Sequence, residues 1–268
     1  MSGYGQLSRF ARRIAFASLI VLSLGVAAAN AADLNADQVR AIVAQAHPGA
    51  PANLARKDLS DLDLSNVDFT GADLSGANLF ASRLVSSNFS GANLSGANLN
   101  GAWLMGAQFA GANLSGSSML GLVILGGNVT ARPNFAGANL SRVRMIADLP
   151  NTDLQGANLR DARLGVDIRN QGMGQMRTDL SNAKLAGADL AGADLSRSVM
   201  AFADLRGANL RGANLFAVKL GGANLRGADV AGADFTETDL DGTVFTGARG
   251  LDAAKGMDKA ANRDRAIY

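Results

Sequence analysis

A bulky apolar residue returns at every fifth position along most of this chain, a period that belongs to neither regular secondary structure. The centres run from Leu54 through Leu59, Leu64 and Phe69 to Ile124 and Val129 without a slip, and a second series runs from Leu180 to Phe245. A helix would return its apolar face at three and four residues, and a strand at two. The flanking positions repeat as well. Two residues before each centre stands mostly Ala, one before it mostly Asn or Asp, and two after it mostly Gly. Gly91-Ala92-Asn93-Leu94-Ser95 and Gly207-Ala208-Asn209-Leu210-Arg211 show the full pattern. Such a unit must turn a corner each time, and the small Ala leaves room inside for the next bulky side chain. Four corners close a square coil of twenty residues, with residue i beneath residue i+20. Neighbouring coils then pair their backbones at the strand spacing of about 4.8 Å. The predicted core is a set of stacked columns.

The phase fails between the two series. Val129 and Phe135 are six residues apart, Met145 and Leu149 four, and Leu164 and Leu180 sixteen. Pro133 and Pro150 sit at the first two slips, where a missing N–H is expected to interrupt the ladder. Residues 165–178 are the least repetitive stretch. The chain therefore divides into an array over 53–130, an irregular section over 131–179 and a second array over 180–248. Open coil ends invite edge-to-edge association and need covers. Asn35-Ala36-Asp37-Gln38 reads as a capping box, and Val39, Ile42, Val43 and Ala46 share one helical face. The sequence thus predicts a helical cap over 32–52, with the helix at Ala36–His47 ended by Pro48. Residues 249–268 leave the period and are expected to form a short helical cap and a frayed tail.

The A-(N/D)-L-x-G consensus, spread over about Asn53 to Phe245, resembles that of the pentapeptide-repeat proteins. The resemblance implies an all-β fold, a right-handed quadrilateral β-helix in which each coil touches only its neighbours, with short helical caps. It does not imply one activity. The family includes DNA-mimicking gyrase protectors and many exported proteins without an assigned role.

Before the repeats stands an export pattern. Arg9, Arg12 and Arg13 precede the apolar run Ile14 to Val26, and Ala29-Asn30-Ala31 supplies a small-x-small cleavage signal. Thirteen apolar residues fall short of the roughly 20 that a membrane-spanning helix needs. The expectation is a signal peptide over 1–31, a mature chain starting at Ala32, and a periplasmic or secreted protein with no membrane span left. Loss of those arginines takes 25 basic residues to 22, against 23 acidic ones. The high pI of the whole chain is then no sign of nucleic-acid binding.

Composition narrows the chemistry. There is no cysteine and one histidine, His47, so thiolate metal sites, cysteine nucleophiles and paired imidazoles are excluded. The many aspartates mostly precede Leu centres, and the family resemblance makes them coil-stabilising hydrogen-bonders. The sequence reads as a non-enzyme without cofactor. The irregular section is distinctive in charge: residues 131–178 hold Arg132, Arg142, Arg144, Arg160, Arg163, Arg169 and Arg177 against four aspartates. Identical coils give a partner little to tell them apart, so the expected interaction surface lies here. Arg142, Arg144, Arg169 and Arg177 supply charge, and Met173 and Met176 soft apolar contact. The expected partner is an envelope protein or an anionic polymer, not nucleic acid. Two alternatives stand beside this reading. One is a DNA mimic acting on a topoisomerase, which the near-neutral mature charge opposes. The other is copper held by the Met173 and Met176 thioethers, which are soft ligands but too few for a usual site.

Overall fold

Each five-residue unit forms one side of a square coil because all five of its backbone donors have a defined destination. The unit around Leu74 shows how. Leu74 N–H donates to Asn93 O of the next coil (2.7 Å) and Asp73 N–H to Ala52 O of the preceding one (2.9 Å). Gly76 N–H reaches Ser95 O (2.8 Å), and Ala77 N–H closes the corner on Leu74 O (3.0 Å). The fifth donor, Ser75 N–H, is taken by Asp73 Oδ1 at 3.0 Å. Asn or Asp before the centre is therefore the side-chain half of the corner, a local Asx turn. Gly two after the centre answers a left-handed backbone, with φ at +64° in Gly76.

The computed structural model describes residues 33–124, 131–166 and 177–268; the expected signal peptide and the centre Val129 lie outside them. Four parallel ladders result, one per face. The first starts Asn53–Asp73–Asn93–Asn113, the second Asp58–Asn78–Asn98–Ser118, the third Asp63–Arg83–Trp103–Val123 and the fourth Asp68–Asn88–Gln108–Asn134. Among the described residues only β1 (Ser118–Leu120) and β2 (Arg144–Ile146) extend a rung into three-residue strands, paired in parallel with Met119 opposite Met145. Inside, Leu54, Leu74, Leu94 and Leu114 form a fully buried column beneath the first face. Beneath the fourth, the rings of Phe69, Phe89, Phe109 and Phe135 stack at 4.8, 4.9 and 5.0 Å, the rung spacing itself. Where Ser or Thr replaces the inward Ala, its hydroxyl can donate to the coil below, as Ser82 does to Leu59 O (2.7 Å).

Three of the four ladders run through the phase slips, whereas on the third face no rung among the described residues joins Val123 to Asp148. The rung-to-rung step lengthens from 20 residues to 26 between Gln108 and Asn134, shortens to 19 between Asn134 and Asp153, and lengthens to 31 between Asp148 and Asp179, after which 20 returns. Extra and missing residues fall at corners bordering the third face: after Ile124, after Leu164, and between Met145 and Leu149. The expectation that prolines interrupt the ladder is corrected here. Asn134 N–H still reaches Ala107 O, and Leu149 N–H reaches Asp179 O. Pro133 and Pro150 occupy the two positions per unit whose N–H serves the corner rather than the ladder, so neither removes a rung.

Both ends are covered. Helix α1 (Ala36–Ala44) starts on the expected capping box, Asn35 accepting from Gln38 N–H while Gln38 accepts from Asn35 N–H. It stops at Ala44 rather than His47, because His47 and Ala50 bond each other in a tight turn across Pro48. Val39 is buried on the first coil. Asp33 takes both backbone groups of Asp58 on the open edge, and Arg40 Nη2 donates to Asp63 O and Ser65 O, both at 3.2 Å. The C-terminal end also differs from expectation. Instead of a helix and a frayed tail, residues 249–268 make a last, widening coil, with steps of 20, 21, 22 and 23 at Arg249, Lys255, Ala261 and Ile267. Short 3-10 turns at Leu251–Ala253 and Arg263–Arg265 absorb the added residues. Tyr268 stacks on Phe245 at 5.6 Å, an apolar contact that holds the terminus down.

Candidate interaction surface

Arg144 stands on the second face, exposed, between the rungs of Ser118 and Arg163. Arg142 occupies the corner before it, in the left-handed backbone that most coils give to Gly, with φ at +57°. Its N–H donates to Arg160 O of the next coil (2.9 Å). The fold thus gathers Arg142 and Arg144 with Arg160 and Arg163, two residues that the sequence reading counted in the basic section but left out of its chosen set. The signal was present. Once the four-residue interval from Met145 to Leu149 is read as a coil one residue short, Arg163 falls directly on Arg144. Arg160 is engaged by Asp189 at 3.2 Å. Arg177 is exposed at the corner where the second face meets the third, beside Thr178, whose hydroxyl donates to Leu164 O (2.7 Å) and Met145 O (3.2 Å). Arg169, Met173 and Met176 lie outside the described residues.

The aspartates behave as corner fittings. Bonds from Ser60, its hydroxyl first, hold the Asp58 carboxyl below the usual value of 3.8, and the Ser75 N–H does the same for Asp73. The Ala231 N–H lowers Asp229, and the Arg206 guanidinium lowers Asp204, which it meets at 2.7 Å. Every one of these shifts favours the ionised form in the folded coil. Their stabilisation is therefore complete above the unfolded carboxylate value and is lost as pH falls through the lower folded values. Thermal melts should stay level from neutral pH down to about 5 and decline only in the acid range below about 4. A decline that begins well above pH 5 would contradict the carboxylate origin of this stabilisation.

His47 is an exposed turn residue. Among the described residues no three His, Cys, Asp or Glu side chains are grouped to hold a metal ion. No described helix is long and apolar enough to cross a membrane. Two aromatic features were not singled out in the sequence. Arg83 lies over the Trp103 ring at 4.8 Å. Phe202, 68% exposed with φ at +58°, lays its ring across Gly222. A Cβ at Gly222 would meet that ring at 2.5 Å, so any larger residue there would have to displace it.

The profile described as pentapeptide repeats matches the chain in eight copies, over residues 52–79, 82–119, 132–165, 176–212 and 213–249. No curated protein matches significantly. Among solved structures, the chain is similar to HetL, a pentapeptide repeat protein involved in heterocyst differentiation regulation from the cyanobacterium Nostoc. Identity is 31% over 80% of this chain and 87% of that one, with a TM-score of 0.33. It is also similar to QnrB1, a plasmid-mediated fluoroquinolone resistance protein, at 18% identity over 74% and 90% of the two chains and a TM-score of 0.36. A third, the pentapeptide repeat protein Rfr23 from the cyanobacterium Cyanothece, gives 24% identity over 60% and 90%, with a TM-score of 0.26.

Proposed function

Because this chain belongs to the pentapeptide-repeat family and folds as its right-handed four-sided β-helix, we propose that it is a non-enzymatic binding or scaffolding rod of the cell envelope, exported through residues 1–31. Its partner docks on the irregular section through Arg142, Arg144, Arg169 and Arg177, with Met173 and Met176 adding apolar contact. One observation carries the reading: steps of 26, 19 and 31 fall on consecutive turns of a coil that otherwise steps by 20 until its last turn, and those turns hold the basic cluster. Regular coils offer the same small side chains again and again. A site that is addressed once must lie where the repetition fails.

A mimic of DNA would need an unbroken acidic surface. The third face instead runs Asp63–Arg83–Trp103–Val123, and Lys184 and Lys219 interrupt the later ladders. That mixture supports the envelope reading over a topoisomerase target.

Two measurements test it. Intact-mass analysis of the envelope fraction is expected to give a chain beginning Ala32-Asp33-Leu34, and a cytosolic chain that keeps Met1 would overturn export. For the surface, the variant R142Q/R144Q/R169Q/R177Q should melt like the parent and recover far less partner from envelope extract. Added salt should weaken the parent's capture likewise, since the Debye length falls from about 10 Å at 0.1 M to about 3 Å at 1 M. Undiminished recovery by the folded variant would remove these arginines from the interface.

A further inference from the structure

Basic residues on the ladders of this rod follow a rule that one place breaks. Arg83 stacks on Asp63 (3.7 Å), Lys184 on Asp153 (3.7 Å) and, on its other side, Asp204. Lys219 borders Asp239, Arg249 borders Asp229, and Lys255 borders Asp234. Each has a carboxylate one rung away and no basic neighbour. Arg144 has Ser118 on one side and Arg163 on the other. Two guanidiniums are thus rooted about 4.8 Å apart on one flat face, and like charges directly opposite on paired strands destabilise the pairing. Asp194, the rung beyond Arg163, is turned to other donors: its Oδ1 accepts from Asn214 Nδ2 and Ser196 N–H, both at 3.0 Å. Among the described residues no carboxylate lies within 4.0 Å of the Arg142, Arg144 or Arg163 side chains.

We propose that Arg142, Arg144 and Arg163 together seat a phosphate group of a soluble anionic polymer. This rests on the envelope-binding reading above and names the chemistry of its ligand. Two stacked forks and a third from the corner supply donors from three directions, which suits a tetrahedral oxyanion with several acceptor oxygens better than a planar carboxylate. The bound anion lies between the like charges and removes their repulsion. A polymer is favoured over a bilayer surface by the surroundings. The exposed large apolar residues Phe80, Phe202, Ile267 and Tyr268 are all on other coils, so nothing described beside the arginines is built to enter lipid.

The test is titration of the full chain with inorganic polyphosphate, and separately with phosphatidylglycerol vesicles, at about 0.1 M salt. Polyphosphate should bind, and R144Q/R163Q, melting no lower than the parent, should bind it about tenfold more weakly or worse. R226Q/R249Q removes the same charge from exposed positions elsewhere and should leave binding nearly unchanged. Equal weakening in both variants would reduce the effect to net charge and overturn the seat. Binding to the vesicles but not to polyphosphate would overturn the polymer. If R144Q/R163Q loses polyphosphate, the seat stands whatever the envelope partner proves to be. If it keeps polyphosphate while R142Q/R144Q/R169Q/R177Q loses partner capture, the seat fails and the binding rod survives.

Discussion

Replacing Leu94 with Asp should lower the melting temperature by roughly 10 °C or more. Leu94 is fully buried between Leu74 and Leu114, and its N–H is committed to Asn113 O at 2.7 Å. The substitution removes a packed aliphatic side chain, at about 2–5 kcal/mol. It also places a carboxyl where no donor awaits it, adding roughly 1–3 kcal/mol even if the group stays protonated. In a protein of this size about 2–4 °C of melting temperature accompanies each kcal/mol. Because each coil is held by its neighbours, the damage should concentrate in the coils around residue 94, with local loss of amide protection. The neighbouring Ser95→Asp change, at a surface corner, is the control and should melt within about 1 °C of the parent. If both variants melt alike, the inward register is wrong.

That register was legible because the repeat writes every structural role into one residue type. The centre fills the column, Ala clears the corner inside, Asn or Asp takes one of the two N–H groups that the ladders leave free, and Gly accepts the left-handed turn. The capping box at Asn35 was equally plain, since both of its partners lie within four residues. What the sequence obscured depended on three-dimensional register. Pro133 and Pro150 looked like breaks until the ladder and corner donors could be told apart. Residues 249–268 lost the period yet kept the coil, because the paired edge beneath them can guide a chain whose corners have grown by a few residues. Arg163 was hidden for a related reason. It lies nineteen residues from Arg144, and only a coil one residue short makes them neighbours. The place of Arg177 on another corner likewise follows from the long step that ends at Asp179.

The central claim is that this rod is addressed where its repetition fails, and removal of residues 167–177 isolates that claim. The deletion joins Val166 to Thr178 and restores a five-residue interval between Leu164 and Leu180, so the step of 31 becomes 20. All the described ladders can still form, and shortening a connection lowers its closure entropy cost, so the variant should melt at or slightly above the parent temperature. Arg169, Arg177, Met173 and Met176 go with the deleted segment. The steps of 26 and 19, with Arg142, Arg144 and Arg163, stay in place. Partner capture from envelope extract by this variant, confirmed as folded by its melt, is the decisive measurement. The account predicts that capture falls well below the parent level while the melting temperature is kept, and capture at the parent level by a folded variant would contradict it.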